Sequence, residues 1–195
     1  DGSLLWRGAG AAFDAAAHLD GEAAPRVAGF DLDGTLVNFK DRDAKYATSA
    51  SDWKLFSEGV VPAVRRLHAA GHIIVIFSNQ NSVKGALEGK AAAKVKGRLD
   101  QVIAELGVPA FAFAATQKGD KDPQCYRKPH AGMWQLFVRS CLGGRAPDMA
   151  RSVYVGDAAG REGDFADTDK GFADAVGVRF LTPEEAFGDD SAAAL

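Results

Sequence analysis

The chain has 195 residues, of which 47% are hydrophobic and 25% are charged, enough for one domain with a substantial core. Its 23 Lys and Arg against 26 Asp and Glu give a formal charge of -3, which excludes a strongly basic coat for nucleic acid but not a local patch. Two cysteines are too few for a disulfide framework, and the longest strongly apolar run, residues 73–77, is far too short to span a membrane.

Residues 1–26 are rich in Ala, Gly and Asp, and we interpret them as an N-terminal strand or arm followed by a loose loop. Residues 27–195 are interpreted as one domain in which strands and helices alternate. Apolar runs predict four strands, at 27–30, 73–77, 111–115 and 152–155. Helical spacing of apolar residues predicts helices over 61–70, from about 95 to 106, and around 133–137, and Thr182-Pro183-Glu184-Glu185 fits a capping box.

This alternation predicts an α/β fold, a Rossmann-like, doubly wound and mainly parallel sheet with helices on both faces. Ligands of such sheets bind at the carboxyl ends of the strands. Three of the four predicted strands end in conspicuous polar residues, which are Asp31 and Asp33, Ser78 and Asn79, and Asp157. The sequence therefore predicts a binding crevice at this edge.

The most informative stretch is Phe30-Asp31-Leu32-Asp33-Gly34-Thr35-Leu36, directly after the first predicted strand. Two carboxylates spaced two residues apart leave the sheet edge close together, and their repulsion favours a neutralising divalent cation such as Mg²⁺. One carboxylate is then free to attack phosphorus, while the other transfers a proton to the leaving oxygen. The alternative is a solvated, Asp-rich turn, but the full pattern after an apolar strand favours chemistry.

Three further sites each have a chemical and a structural interpretation. Ser78 and Asn79 are suited to hydrogen-bond a phosphoryl group, or alternatively to cap a helix. Arg127 and Lys128 precede a proline, where the lysine either offsets the charge of a nucleophile and a phosphate or belongs to a solvated turn. Asp157 completes a metal site with Asp31, or marks a strand-to-loop turn.

The motifs Asp-x-Asp-Gly-Thr-Leu, Ser, Lys-Pro and Gly-Asp occur in this order. This order closely resembles the haloacid dehalogenase superfamily of phosphotransferases. The resemblance implies that Asp31 is the nucleophile that forms an aspartyl-phosphate and that Asp33 is the general acid and base. It also implies that Ser78 and Lys128 hold the transferring phosphoryl group, and that Mg²⁺ binds to Asp31, the backbone carbonyl of Asp33, and Asp157.

A narrower resemblance extends from Val27 to Phe187. Its specific marks are Gly132-Met133-Trp134 after Tyr126-Arg127-Lys128-Pro129, and the run Gly-Asp-Ala-Ala-Gly-Arg at residues 156–161. These are similar to the 3'-phosphatase domain of the polynucleotide kinase/phosphatase family, whose members clean DNA ends in strand-break repair. The resemblance implies a nuclear enzyme, and we expect Arg161, Asp164 and Asp169 to support the site or fix its loop.

The sequence also departs from this family's pattern. Residues 81–89 lack the Gly-Ile-Gly-Arg-Gly pattern of many members, and Lys84 is our candidate for the missing phosphate contact. Residues 117–124 form a charged insertion. The chain contains no kinase phosphate-binding loop of the form G-x-x-x-x-G-K-S/T, so we do not expect it to phosphorylate 5' ends by itself.

The two places where relatives insert a cap domain, residues 37–57 and 116–127, are too short for a second domain, so we expect an uncovered site. An uncovered site admits a large substrate such as a DNA terminus. Lys90, Lys94 and Arg98 fall four residues apart on a helix that we predict to begin at Ser78 and Asn79. They form either a stripe that follows DNA phosphates or, as we favour, a solvated face.

We therefore predict a Mg²⁺-dependent phosphatase, a monomer without a membrane partner, that removes 3'-phosphates from DNA ends with little sequence preference. Its predicted substrate contacts are Asn79, Arg127 and Lys84. One alternative is a capless phosphatase that acts on another macromolecule or on a small phosphate ester. A second alternative is an inactive module that binds DNA ends or a protein.

Overall fold

The computed structural model describes residues 4–9, 23–41, 47–81, 83, 88–116 and 126–188. The strands are β1 (Leu4–Ala9), β2 (Arg26–Phe30), β3 (Val37–Asn38), β4 (Lys54–Leu55), β5 (His72–Asn79), β6 (Ala110–Ala115), β7 (Val153–Val155) and β8 (Arg179–Leu181). The helices are α1 (Val60–Ala69), α2 (Lys90–Leu106), α3 (Gly132–Cys141), α4 (Thr168–Val176) and α5 (Pro183–Phe187), with a short 3₁₀ turn at Met149–Arg151. None of these helices is long and apolar enough to cross a membrane.

Six strands form the main sheet in the order β1-β6-β5-β2-β7-β8. The five strands from β6 to β8 run parallel, and β1 pairs antiparallel with β6 at the edge. This is the predicted mainly parallel α/β fold. The central strand β5 is flanked by β6 and β2, which explains why its sequence lacks polar alternation.

Side chains of the sheet alternate between two hydrophobic cores, one on each face. Along β5, Ile74 and Ile76 enter one core, while Val75 and Phe77 enter the other. The first core is completed by residues of α1, α2 and α5, and the second by residues of α3 and α4. The helices therefore cover both faces and leave the carboxyl ends of the strands to form the site.

Helix α2 begins at Lys90, so the prediction of a helix beginning at Ser78 and Asn79 is wrong. Both residues belong to β5, where they pair with Ala114 and Ala115 of β6. Backbone pairing with β6 continues past the end of the apolar run, and apolarity alone does not reveal this.

Helix α4 and the strands β3, β4 and β8 were not predicted from the sequence, whereas the other helices lie within a few residues of their predicted positions. Helix α4 carries two aspartates, a lysine and a glycine in nine residues, and β8 has only three residues. The capping box of α5 is confirmed: the Glu185 backbone N–H donates to the Thr182 hydroxyl oxygen, and the Glu185 carboxylate accepts from the Thr182 backbone N–H at 2.7 Å.

At the first cap position, the described residues form only the small hairpin of β3 and β4. The second cap position and the insertion at 117–124 lie largely outside the described residues. Of the first 26 residues, Leu4–Ala9 form β1, while residues 10–22 lie outside the described ranges. The division at residues 26 and 27 into an arm and a domain stays a prediction.

Candidate active site

The carboxyl ends of β5, β2 and β7 lie side by side and open into a cavity of about 930 Å³. This cavity brings together most of the residues that the sequence singled out: Asp31, Asp33, Ser78, Asn79, Arg127, Lys128 and Asp157. Lys84 lies outside the described residues. The parallel strand order thus gathers side chains that are up to 126 positions apart in the sequence.

Asp31 follows β2 directly, and its backbone N–H donates to the Val155 carbonyl of β7 at 2.9 Å. Its buried carboxylate accepts a hydrogen bond on Oδ1 from Nζ of Lys128 at 2.5 Å. Burial raises the pKa of Asp31 well above its usual value, and the charge of Lys128 opposes this rise, while Asp169 adds to it. The ionised form of Asp31 therefore depends on positive charge in the site.

Lys128 is 2% exposed, and all three donors of its ammonium group are used. Besides Asp31, Nζ donates to Oδ1 of Asp169 at 2.6 Å and to the Tyr154 hydroxyl at 2.9 Å. Burial alone lowers the pKa of Lys128, but the carboxylates of Asp169 and Asp31 more than offset this and raise it. Lys128 is therefore a fixed, charged ammonium beside Asp31.

Asn79 holds the backbone of Lys128 from the end of β5. Its side-chain oxygen accepts from the Lys128 N–H at 3.0 Å, and its side-chain nitrogen donates to the Lys128 carbonyl at 3.2 Å. Both ends of the amide are used in this way, so the structure gives Asn79 a role in supporting Lys128, although it also lines the cavity.

Tyr154 and Asp169 are more deeply involved than the sequence analysis expected. The Tyr154 hydroxyl donates to Oδ1 of Asp169 at 2.9 Å, and the Ala158 N–H donates to Oδ2 at 3.0 Å. Asp169 is 2% exposed and comes from α4, which the sequence analysis missed. The available signal was a tyrosine inside an otherwise apolar strand, because a buried phenol requires a polar partner.

Asp33 is held from a different direction. Nη2 of Arg98 donates to Oδ2 of Asp33 at 2.9 Å, and Nη1 of Arg98 lies 2.7 Å from Oδ1. Nε2 of Gln80 also donates to Oδ2, at 2.7 Å, and to the Ser78 hydroxyl at 2.8 Å. Ser78 is therefore linked to Asp33 through one amide group.

The position of Arg98 corrects the interpretation of a basic stripe on α2. Arg98 is 3% exposed and faces the cavity, so it belongs neither to a solvated face nor to an outer track for DNA. Lys94 lines the same cavity and donates to the Ala47 carbonyl at 2.6 Å, while Lys90 is exposed. The spacing of the three residues was correctly seen, but the face of the helix was assigned wrongly.

Three carboxylates in the described part of the chain fit a divalent cation. One oxygen from each of Asp31, Asp157 and Asp169 lies within 4.8 Å of the other two. Oδ1 of Asp157 is buried without a hydrogen-bond partner, whereas both oxygens of Asp169 already accept hydrogen bonds. Burial, followed by the charge of Asp169, raises the pKa of Asp157 to about 7. A buried, unpartnered carboxylate oxygen among like charges is suited to a cation.

The predicted metal ligands Asp31 and Asp157 therefore lie together, with Asp169 as the third acid. The side chain of Asp33 is not part of this cluster, and its backbone carbonyl stays a predicted ligand. Gly34 permits this packing: its φ is +83°, and a Cβ at this position would lie 2.3 Å from Oδ2 of Asp157. Gly34 of the Asp-x-Asp-Gly-Thr-Leu motif thus leaves space for the side chain of Asp157 of the Gly-Asp motif.

The loop between Asp157 and α4 is fixed by charged contacts. Arg161 pairs with Asp164 through Nε and with Glu184 through Nη1, at 3.0 and 3.1 Å. Asp164 also accepts from the backbone N–H groups of Ala159 and Arg161. This loop presents Phe165, which is 80% exposed, at the cavity.

Comparison with known proteins places these features in context. A family model described as polynucleotide kinase 3 phosphatase matches residues 26–187. The polynucleotide 3'-phosphatase ZDP of Arabidopsis thaliana is 39% identical over 171 residues, which cover 83% of this chain and 24% of that protein. The bifunctional polynucleotide phosphatase/kinase of Schizosaccharomyces pombe is 37% identical over 158 residues, which cover 81% and 36%.

Among solved structures, a D,D-heptose 1,7-bisphosphate phosphatase from B. bronchiseptica, complexed with magnesium and phosphate, matches with a TM-score of 0.59 at 24% identity. The match covers 80% of this chain and 78% of that one, and it is a likeness of fold. The chain spans about a quarter of the Arabidopsis relative and about a third of the fission yeast relative.

Proposed function

Since the chain belongs to the polynucleotide kinase 3 phosphatase family, we propose that it is a Mg²⁺-dependent phosphatase that removes 3'-phosphates from DNA ends through an aspartyl-phosphate on Asp31. The observation that carries this proposal is the buried Asp31 carboxylate, held 2.5 Å from the Lys128 ammonium in a cavity that Asp33 also lines. A nucleophile, a fixed cation and a second carboxylate are the parts that phosphoryl transfer through a covalent intermediate requires.

In the first half of the proposed reaction, an oxygen of Asp31 attacks phosphorus and the bond from phosphorus to the 3'-oxygen breaks. Asp33 gives its proton to the departing 3'-oxygen, so that the DNA leaves with a free hydroxyl. Lys128 lies beside Asp31 and stabilises the charge on the equatorial oxygens, and Ser78 supplies a hydroxyl at the same edge of the sheet.

In the second half, Asp33 takes a proton from a water molecule, whose oxygen attacks the phosphorus of the aspartyl-phosphate. The bond between phosphorus and the Asp31 oxygen breaks, and inorganic phosphate is released. Asp33 then holds the proton that it needs for the next cycle.

Asp31, Asp157 and the backbone carbonyl of Asp33 are the proposed metal ligands, with Asp169 beside them. When bound, Mg²⁺ would supply positive charge that keeps Asp31 ionised and polarises the phosphoryl group. The raised pKa values of Asp31 and Asp157 support this requirement, because both carboxyls hold protons more tightly when positive charge is lacking.

Lys94 and Arg127 line the described cavity in addition to Arg98 and Lys128, which pair with its aspartates, and these two further basic residues support a substrate with phosphate groups beside the reacting one. The two relatives above, a polynucleotide 3'-phosphatase and a polynucleotide phosphatase/kinase, support a polynucleotide end as the substrate. We propose Arg127, and Lys84 outside the described residues, as phosphate contacts. We also propose that the chain acts as a monomer, and that it acts in the nucleus, as the resemblance implies.

A substrate panel tests this function. Phosphate release is measured from a 3'-phosphorylated DNA oligonucleotide, its 5'-phosphorylated counterpart, an RNA 3'-phosphate, free nucleotides and sugar phosphates, each with Mg²⁺ or EDTA. We expect rapid release from the DNA 3' end, loss of release in EDTA, and little from the 5' end. Turnover of sugar phosphates without turnover of the oligonucleotide would refute the DNA-end assignment while leaving the Asp31 chemistry intact.

A further inference from the structure

We propose that Arg98 is a positioning residue that holds the Asp33 carboxylate in the orientation needed for proton transfer to the leaving oxygen. This inference rests on the proposed function only in assigning the proton transfer to Asp33.

Arg98 holds Asp33 through one hydrogen bond and one close ion-pair contact. Nη2 of Arg98 donates to Oδ2 of Asp33 at 2.9 Å, while Nη1 lies 2.7 Å from Oδ1 without the geometry of a hydrogen bond. Gln80 adds a third donor at 2.7 Å, on the oxygen that also accepts from Nη2 of Arg98. Two donors on Oδ2 and the guanidinium charge beside Oδ1 together restrain both the position and the orientation of the Asp33 carboxylate.

Burial explains why this contact is more than an incidental surface pair. Arg98 is 3% exposed and lies next to the core residue Leu99 on α2, whereas the Asp33 side chain is 31% exposed toward the cavity. A buried guanidinium is costly unless it is paired. The guanidinium also lies over the Phe39 ring, 5.7 Å from its centre, so it is held on a second side.

The proposed role of Arg98 concerns the first half of the reaction, in which the bond from phosphorus to the 3'-oxygen breaks and this oxygen needs a proton. An alkoxide such as the 3'-oxygen of a nucleotide leaves poorly without protonation, whereas 4-nitrophenolate leaves readily without it. Because kcat/KM reports the steps up to formation of the aspartyl-phosphate, it isolates this half. A loss of phosphate binding or of overall folding lowers kcat/KM for both kinds of ester by the same factor, but a displaced Asp33 lowers it chiefly for the alkyl ester.

The experiment compares kcat/KM of the wild-type chain, Arg98→Lys and Arg98→Met on three esters. These are a 3'-phosphorylated oligonucleotide, glycerol phosphate and 4-nitrophenyl phosphate. Arg98→Lys keeps the charge but cannot face both oxygens of Asp33. We expect both variants to lose about 10- to 100-fold on the alkyl esters and less than about threefold on the aryl ester. Lys96→Met, two residues away on α2 and outside the cavity, is the matched control and should leave all three esters unchanged.

Equal losses on alkyl and aryl esters, or full activity of Arg98→Lys on the alkyl esters, would overturn the proposal. If neither Arg98 variant folds, Gln80→Met decides the question. We expect a smaller loss of kcat/KM that is again confined to the alkyl esters. An unchanged ratio of kcat/KM between alkyl and aryl esters would refute the proposal that these contacts position Asp33. A wild-type chain that hydrolyses glycerol phosphate but not the oligonucleotide refutes the DNA-end function and leaves this comparison valid.

Discussion

Replacing Lys128 with methionine tests whether its ammonium group stabilises the fold by compensating the buried carboxylates beside it. The substitution keeps an unbranched, apolar stem of similar length and removes the charge between Asp31 and Asp169, which are 6% and 2% exposed. Removing one partner of a buried ion pair costs about 3–5 kcal/mol, because the remaining charge loses its compensation. We expect a loss of that size in the free energy of unfolding at about pH 8 in EDTA.

The loss should also depend on pH in a defined direction. Without Lys128, the pKa of Asp31 in the folded chain rises further above its unfolded value. The penalty is therefore full above the folded pKa of Asp31 and shrinks as this carboxyl becomes protonated when the pH is lowered through that pKa. A divalent cation should restore part of the lost stability, since it supplies charge at the same place.

Urea denaturation followed by tryptophan fluorescence measures the loss, and an unchanged m value confirms that the unfolding transition is the same. The matched control is Lys170→Met, which removes an exposed pair with Asp174 at 2.8 Å and should cost less than about 1 kcal/mol. A cost for Lys128→Met equal to that of the control, or one that does not change with pH, would refute this account of the cluster.

Three further predictions concern the same region. Gly34→Ala forces a Cβ onto Asp157 at a positive φ, so we expect at least about tenfold weaker metal binding in a calorimetric titration. Because the pKa of Asp157 is about 7, metal affinity should fall below that pH by up to about tenfold per pH unit and level off above it, which titrations from pH 5 to 9 will show. Tyr154→Phe removes a hydroxyl that bonds to both Lys128 and Asp169, and urea denaturation should show a loss of about 1–2 kcal/mol.

The predictable part of the site consists of residues that come at the ends of apolar runs. Asp31, Ser78 and Asp157 were found because an apolar run ends just before each of them, and parallel strands bring such ends together. The buried strand β5 and the two-sided covering of the sheet follow from the same patterns.

The residues that were missed or misassigned depend on tertiary packing that no local pattern records. Arg98 has the spacing of a solvated stripe, and only the way α2 lies against the turn after β2 directs it to Asp33. Asp169 reaches Lys128 from α4, whose mixed composition predicts no helix. Asn79 stays a predicted substrate contact, but the sequence does not reveal that its amide matches the backbone of Lys128, 49 positions away.

Trapping the covalent intermediate tests the central claim most directly. A DNA oligonucleotide with a radiolabelled 3'-phosphate is mixed with excess enzyme and Mg²⁺, quenched in acid within one turnover, and the label is traced to a peptide. The account predicts transient, base-labile label on the peptide that contains Asp31, absent in Asp31→Asn and absent with a 5'-labelled oligonucleotide. Release of labelled phosphate without any label on the protein, or label on a peptide that lacks Asp31, would contradict it.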